Sequence, residues 1–281
     1  MAIAQIDTET VIRSLGDHSF VFYGFVFFGI ILARYFLLAG GSWWWLYVRA
    51  TAAEPGSLPA GSRPAEPGPE QRQQHSDGIG ADIHLSVLSA AVFALATAAV
   101  LTLQRHGLTR LYARPDTYGW WYLAVSYAAV LILQDGLYYA THRLFHHRWL
   151  YRWFHHGHHR TRQPTPWTSF AFDPPEAVVQ ALVLVLLVML VPLHLITLMA
   201  VLSTMTVWAI VNHLGLDHLP SGFPHHWLGR WVIGPAHHSL HHRHPGVHFG
   251  LYFTVWDRIG GTEDPSYAAA VKPPGDLGAI H

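Results

Sequence analysis

The sequence predicts an all-α, polytopic membrane protein: about three long helical spans and a short helical hairpin, with a histidine-rich helical cap at one membrane face. Three observations lead there. Only 12% of the 281 residues are charged, about half the share of a soluble domain. Several apolar runs are long enough for a bilayer core of about 30 Å. Histidine, 23 residues in all, is concentrated in 142–159 and 213–248, which a general compositional bias would not produce. The absence of cysteine excludes disulfides, thiolate-held zinc and iron–sulfur sites. The balanced formal charge offers nothing to nucleic acid.

Taken in order, residues 1–19 are polar and lack the basic start and cleavage site of a secretory signal. Phe20 to Leu38 is the first span, with Arg34 near enough to its end to reach headgroups. Trp43, Trp44 and Trp45 follow, where an interfacial aromatic belt belongs, so residues 1–50 form an N-terminal span and belt. Residues 51–80 hold five prolines among Gly, Ser, Glu and Gln and are expected to be a disordered linker. Leu85 to Leu103 is the second span. Trp120 to Ala140 is the third, with Asp135 in its last turns. Residues 263–281 are expected to be a flexible tail.

The apolar region Ala177 to Val211 decides the topology. A single crossing would leave the two histidine stretches on opposite faces, about 30 Å apart. Metal–imidazole bonds are about 2 Å. If the stretches share one site, this region must cross an even number of times. Two helices of roughly 16–17 residues, turning near Pro192-Leu193-His194, just reach the lower limit for a span. Arginine is more frequent on the histidine side than on the other, which favours a cytoplasmic histidine face.

The spacing of the histidines is that of metal ligands on helices. His142 and His146 stand at i, i+4; His155, His158 and His159 stand at i, i+3, i+4; His238, His241 and His242 repeat the trio. His213 ends the hairpin at the same face. Two, three, three and one give nine imidazoles, more than one ion takes, and argue for two metals. His147 and His156 lie about 100° off the ligand faces. The segment from His146 to His155 would place pair and trio on opposite sides of one helix, so a bend is expected near His147–Leu150. His237, His218 and His225 remain open as further ligands. Asp135 and Asp217 are the carboxylates expected to orient imidazoles. Asp173 and Glu176 are read as capping or solvated groups that can serve the same end. Spacing alone does not choose among iron, zinc, copper and nickel.

The segments His142-Arg-Leu-Phe-His146, Phe154-His155-His-Gly-His158-His159, Asn212-His213-Leu-Gly, His237-His238-Ser-Leu-His241-His242 and Trp256-Asp257-Arg258-Ile-Gly-Gly261-Thr262 together resemble the fatty acid hydroxylase/sterol desaturase superfamily, over roughly 120–262. The resemblance implies a membrane-embedded catalytic domain over residues 81–262. It also implies a pair of iron ions, with zinc as an ion the same ligands take on isolation. The ligands carried over are His142, His146, His155, His158, His159, His238, His241 and His242, with His213 added. The implied reaction is O2-dependent hydroxylation or desaturation of a lipid chain: a sterol, carotenoid, fatty acyl, sphingoid or ether lipid. One departure is His248, where the family usually has Asn.

No nucleotide- or haem-binding motif is present, so electrons are expected from a separate electron-transfer protein. Arg148, Arg152, Arg160 and Arg162 can dock an acidic carrier, hold lipid phosphates, or only follow the positive-inside rule. The alternative is a membrane zinc-binding or metal-transport protein. That reading wants ionisable residues deep in the spans, where almost none occur.

Overall fold

The computed structural model describes residues 18–49, 69–215, 226–265 and 267, with 69–77 as helical backbone only. Asp217, His218, His225 and most of the expected linker and tail lie outside the described residues. Among them the helices are α1 (Phe20–Trp43), α2 (Pro69–Arg105), α3 (Trp120–Phe145), α4 (Tyr151–Phe154), α5 (Pro174–Leu190), α6 (Leu195–Asn212), α7 (Pro235–Arg243) and α8 (Val255–Gly260). Two short strands, β1 (Leu111–Tyr112) and β2 (Leu193–His194), pair in parallel.

Four segments are long and apolar enough to cross a membrane: Phe20–Arg49, Gly78–Arg105, Trp120–Phe145 and Leu195–Asn212. The shorter α5 joins α6 to make the hairpin, of 17 and 18 residues. At 1.5 Å per residue each arm is roughly 26 Å long, a little under the hydrocarbon thickness. Ser19 caps α1, its side chain accepting from Phe22 N–H. The three tryptophans continue the first span in helical form. Helix runs through Trp43 and continues as a π-helical turn, Trp44–Arg49. α2 begins at Pro69, inside the segment expected as linker. Proline's missing N–H costs nothing in a first helical turn.

α1 packs along α2, α2 along α5, and α3 against both arms of the hairpin. One apolar core lies between α3 and the hairpin, around Val130, Leu131, Val188, Leu193 and Val201. A second joins α1 and α2 through Tyr35, Ala90, Ala94 and Phe170, where small residues let the helices approach. The hairpin tip is tied down away from the histidines. Arg110 N–H donates to Val188 O at 3.1 Å, and Leu193 N–H to Arg110 O at 3.2 Å. His194 caps α6: its Nδ1 accepts from Ile196 N–H at 3.0 Å and its Nε2 donates to Ala113 O at 2.7 Å. The hairpin returns the chain to the end of the bundle where α3 finishes, and there the histidines collect.

Candidate metal centre

α3 carries His142 in its last turn and is capped by His146, whose N–H donates to His142 O at 3.2 Å. The two rings are neighbours, 5.2 Å apart and tilted by 57°, as i, i+4 spacing allows. The chain then bends through His147–Leu150, closed by Leu150 N–H to His147 O at 2.8 Å, and makes the single turn of α4. The expected trio on one helix face is not formed. His155 ends α4 with non-helical backbone (φ −146°, ψ −4°), and His158 and His159 open a separate 3-10 turn. The i, i+3, i+4 rule holds only along a continuous helix, and this one stops after four residues.

The break divides the trio. One nitrogen each from His142, His146, His155, His159 and His241 lie within 4.8 Å of one another, and those of His158, His213, His238 and His242 form a second such group. α7 divides its histidines too: His238 and His242, one turn apart, face the second group, and His241 the first. The groups adjoin, with the His159 and His242 rings stacked at 4.5 Å. His237 joins neither group. It stacks on Tyr267 at 3.8 Å, and its Nδ1 accepts from Gly234 N–H. His147 and His156 are exposed.

Hydrogen bonds fix the tautomers. His158 Nδ1 donates to Ala171 O at 3.2 Å and His242 Nδ1 to Thr161 O at 2.8 Å. A carbonyl only accepts, so each neutral ring keeps its lone pair on Nε2. Those two Nε2 atoms stand 3.2 Å apart. In the first group His142 Nδ1 donates to Phe249 O at 2.9 Å and His155 Nδ1 to the Glu176 carboxylate at 2.7 Å, leaving their Nε2 atoms 3.0 Å apart. Lone pairs facing at such distances repel unless a cation lies between them. Imidazoles bound to one ion at about 2.1 Å stand roughly 3.0–3.4 Å apart, so both groups fit a metal ion.

Electrostatics agrees. Burial, reinforced by His241 and His158, pushes His146 down to about 2. Burial takes His158 down to about 4, and burial with His158 nearby takes His213 down to about 3. Burial and the neighbouring imidazoles hold His155, His159, His238, His241 and His242 well below the usual imidazole range. These rings are neutral at neutral pH, the form a metal binds.

The carboxylates behave differently from expectation. Asp135 does not orient an imidazole. It accepts from the N–H groups of Leu251, Tyr252 and Phe253 at 2.9, 2.8 and 3.2 Å, holding the chain that follows Phe249. The carboxylate on a histidine is Glu176, the third residue of α5 and fully buried. Asp257 acts at one remove: it accepts from Phe249 and Gly250 N–H at 2.7 and 2.9 Å, and Phe249 O takes the His142 proton. A Cβ on Gly250 would meet Phe253 O at 2.7 Å, so only glycine fits there. His248 has φ +57°, a left-handed position that Asn and His tolerate better than most residues. Its signal in the sequence was the departure from Asn. Glu176 carried a signal only through its place after two prolines, which set it in the first turn of a helix. Tyr267, within the expected flexible tail, is buried against His237.

Residues 127–262, which contain all nine clustered histidines, match the family model described as fatty acid hydroxylase. The chain is 34% identical over 180 residues to the Delta(7)-sterol 5(6)-desaturase ERG3B of Gibberella zeae, covering 62% of this chain and 54% of that one. It is 33% identical over 186 residues to lathosterol oxidase of Mus musculus, covering 66% and 60%. To lathosterol oxidase of Homo sapiens it is 32% identical over 188 residues, covering 66% and 61%. The match thus spans little more than half the length of these relatives. No solved structure matches.

Proposed function

Since residues 127–262 make this chain a member of the fatty acid hydroxylase/sterol desaturase superfamily, we propose that it oxidises a C–H bond of a membrane lipid with O2, at two histidine-held iron ions. The observation that carries the reading is the pair of imidazole groups with their Nε2 lone pairs turned inward. The first ion would be held by His142, His146, His155, His159 and His241, the second by His158, His213, His238 and His242. Paired redox ions so held supply the oxidant that an unactivated C–H bond needs. The names of the relatives favour a sterol and desaturation over the other lipid classes.

The chain's own part is to hold, orient and exclude water. Phe249 lies against His142, His146 and His241, and Phe172 stacks on His158, so apolar rings border both groups. Desaturation removes two hydrogens from the lipid and needs two electrons and two protons besides, reducing O2 to two waters. A separate electron-transfer protein would deliver those electrons. Arg148, Arg152 and Arg160, exposed beside the site, suit an acidic carrier. The catalytic unit would run over residues 81–262 as a multi-pass membrane body with the histidine face cytoplasmic.

The test is expression with ample iron, followed by metal analysis, O2 uptake with a reductant and lipid extract, and mass spectrometry of the lipids. Loss of two hydrogens from a sterol, or gain of one oxygen, is expected. Protein that carries no redox metal and consumes no O2 sinks the reading.

A further inference from the structure

Beneath the His155–His159 stretch lies the segment Asp173-Pro174-Pro175-Glu176, and the two touch at successive points. Asp173 accepts from Gly157 N–H at 2.7 Å, and a Cβ on Gly157 would collide with the same carboxylate. Ala171 O takes the His158 proton at 3.2 Å, and Glu176 Oε2 takes the His155 proton at 2.7 Å. The two contacts turn His155 and His158, three residues apart, toward different groups.

The anchor of His155 is unlike the others. His142, His158, His213, His241 and His242 donate Nδ1–H to neutral carbonyls. His155 donates to a carboxylate whose other oxygen, Oε1, is buried without a hydrogen-bond partner. A buried carboxyl group keeps its negative charge only with positive charge close by, and otherwise takes up a proton. The nearest source is the ion that His155 would hold, and a carboxylate behind an imidazole strengthens that ring as a donor.

We propose that Glu176 is a positioning residue that turns His155 toward the five-imidazole group and places one negative charge behind that group alone, so that the two metal positions are chemically unequal. This rests on the reading that the histidines hold iron. The consequence is selective: the five-imidazole position depends on Glu176, and the His158–His213–His238–His242 position does not.

The experiment uses full-length protein loaded with 57Fe in detergent, read by iron content, chelator-driven release and Mössbauer spectroscopy, with size exclusion to establish folding. Wild type should give two quadrupole doublets. Glu176→Ala frees His155 and leaves four imidazoles at that position, so it should keep both irons, shift one doublet strongly and release that iron fastest, the other doublet staying as in wild type. Glu176→Gln keeps an acceptor for His155 but not the charge. It should retain both irons, shift only one doublet, and release that iron at least about tenfold faster. If the alanine variant does not fold, the glutamine variant decides alone. Variants with wild-type doublets and release rates, or with both doublets altered equally, overturn the proposal. Wild-type protein without iron instead refutes the proposed function.

Discussion

Asp135→Ala would leave three backbone N–H groups without their acceptor, those of Leu251, Tyr252 and Phe253. An unsatisfied buried N–H costs roughly 1–3 kcal/mol. Tyr252 is buried, while Leu251 and Phe253 are partly open, so water softens two of the three losses. The sum is about 3–5 kcal/mol, or a fall of roughly 6–20 °C in Tm for a chain of this size. Asp135→Asn keeps an oxygen for Leu251 and Tyr252, which share Oδ1, and should cost about 1–2 kcal/mol. The loss should reach the histidines, because Phe249, two residues before Leu251, holds the His142 proton. Thermal unfolding by fluorescence-detected size exclusion, with metal content on the same samples, measures both effects. An alanine variant that unfolds within about 2 °C of wild type and keeps its metal would show that Asp135 does not hold this loop.

Three further outcomes are expected. His158→Ala leaves three imidazoles in a group of four and should lose that group's metal, whereas His146→Ala leaves four of five and should retain both metals, as elemental analysis per chain will decide. Acid should destabilise the metal-free protein in a defined window. His158 and His213 are lowered to about 4 and about 3, so the unfolded chain takes up their protons first, and stability present above about 6.5 is lost as pH falls toward 4 and 3. Each contributes about 2 kcal/mol of loss by pH 5, and equal unfolding midpoints at pH 7 and pH 5 would contradict the burial of these neutral rings. His194→Ala removes the α6 cap and the tie to Ala113, and should lower stability by about 1–2 kcal/mol without changing metal content.

Much of the fold was legible because the bilayer restricts the choices. Long apolar runs must be helices, and histidines on both sides of Ala177–Val211 demand an even number of crossings. The gathering of these side chains was legible too: the eight histidines at helical spacing, with His213 at the end of the hairpin, are the nine that lie in the two groups. Their division was not. Whether His155 and His158 face one group or two is set by Glu176 and Ala171, 21 and 13 residues away in sequence, and no local periodicity carries that. Asp135 misled for the opposite reason. Its position two turns before His142 suggests a shared face, yet its partners are Leu251, Tyr252 and Phe253, 116 to 118 residues on. The 3-10 turn at His158 and the short β1–β2 pairing have no signature in hydropathy, because so few residues take part.

The pairing of distant rings has a consequence for how the molecule is assembled. His159 meets His241 across 82 residues of chain, and His158 meets His242 across 84. An ion seated among them is a cross-link that closes a loop containing the whole hairpin. Closing a flexible loop of that length costs roughly 4 kcal/mol of chain entropy. Folding of the hairpin into the bilayer meets that cost in advance, so the ion arrives at rings already gathered. Neither group is complete until α7 has been synthesised, since the first takes one histidine from it and the second takes two. Metal insertion would therefore be a late step, after the last span is in place, and a chain stalled before α7 would hold its histidines without the means to close either ring of ligands.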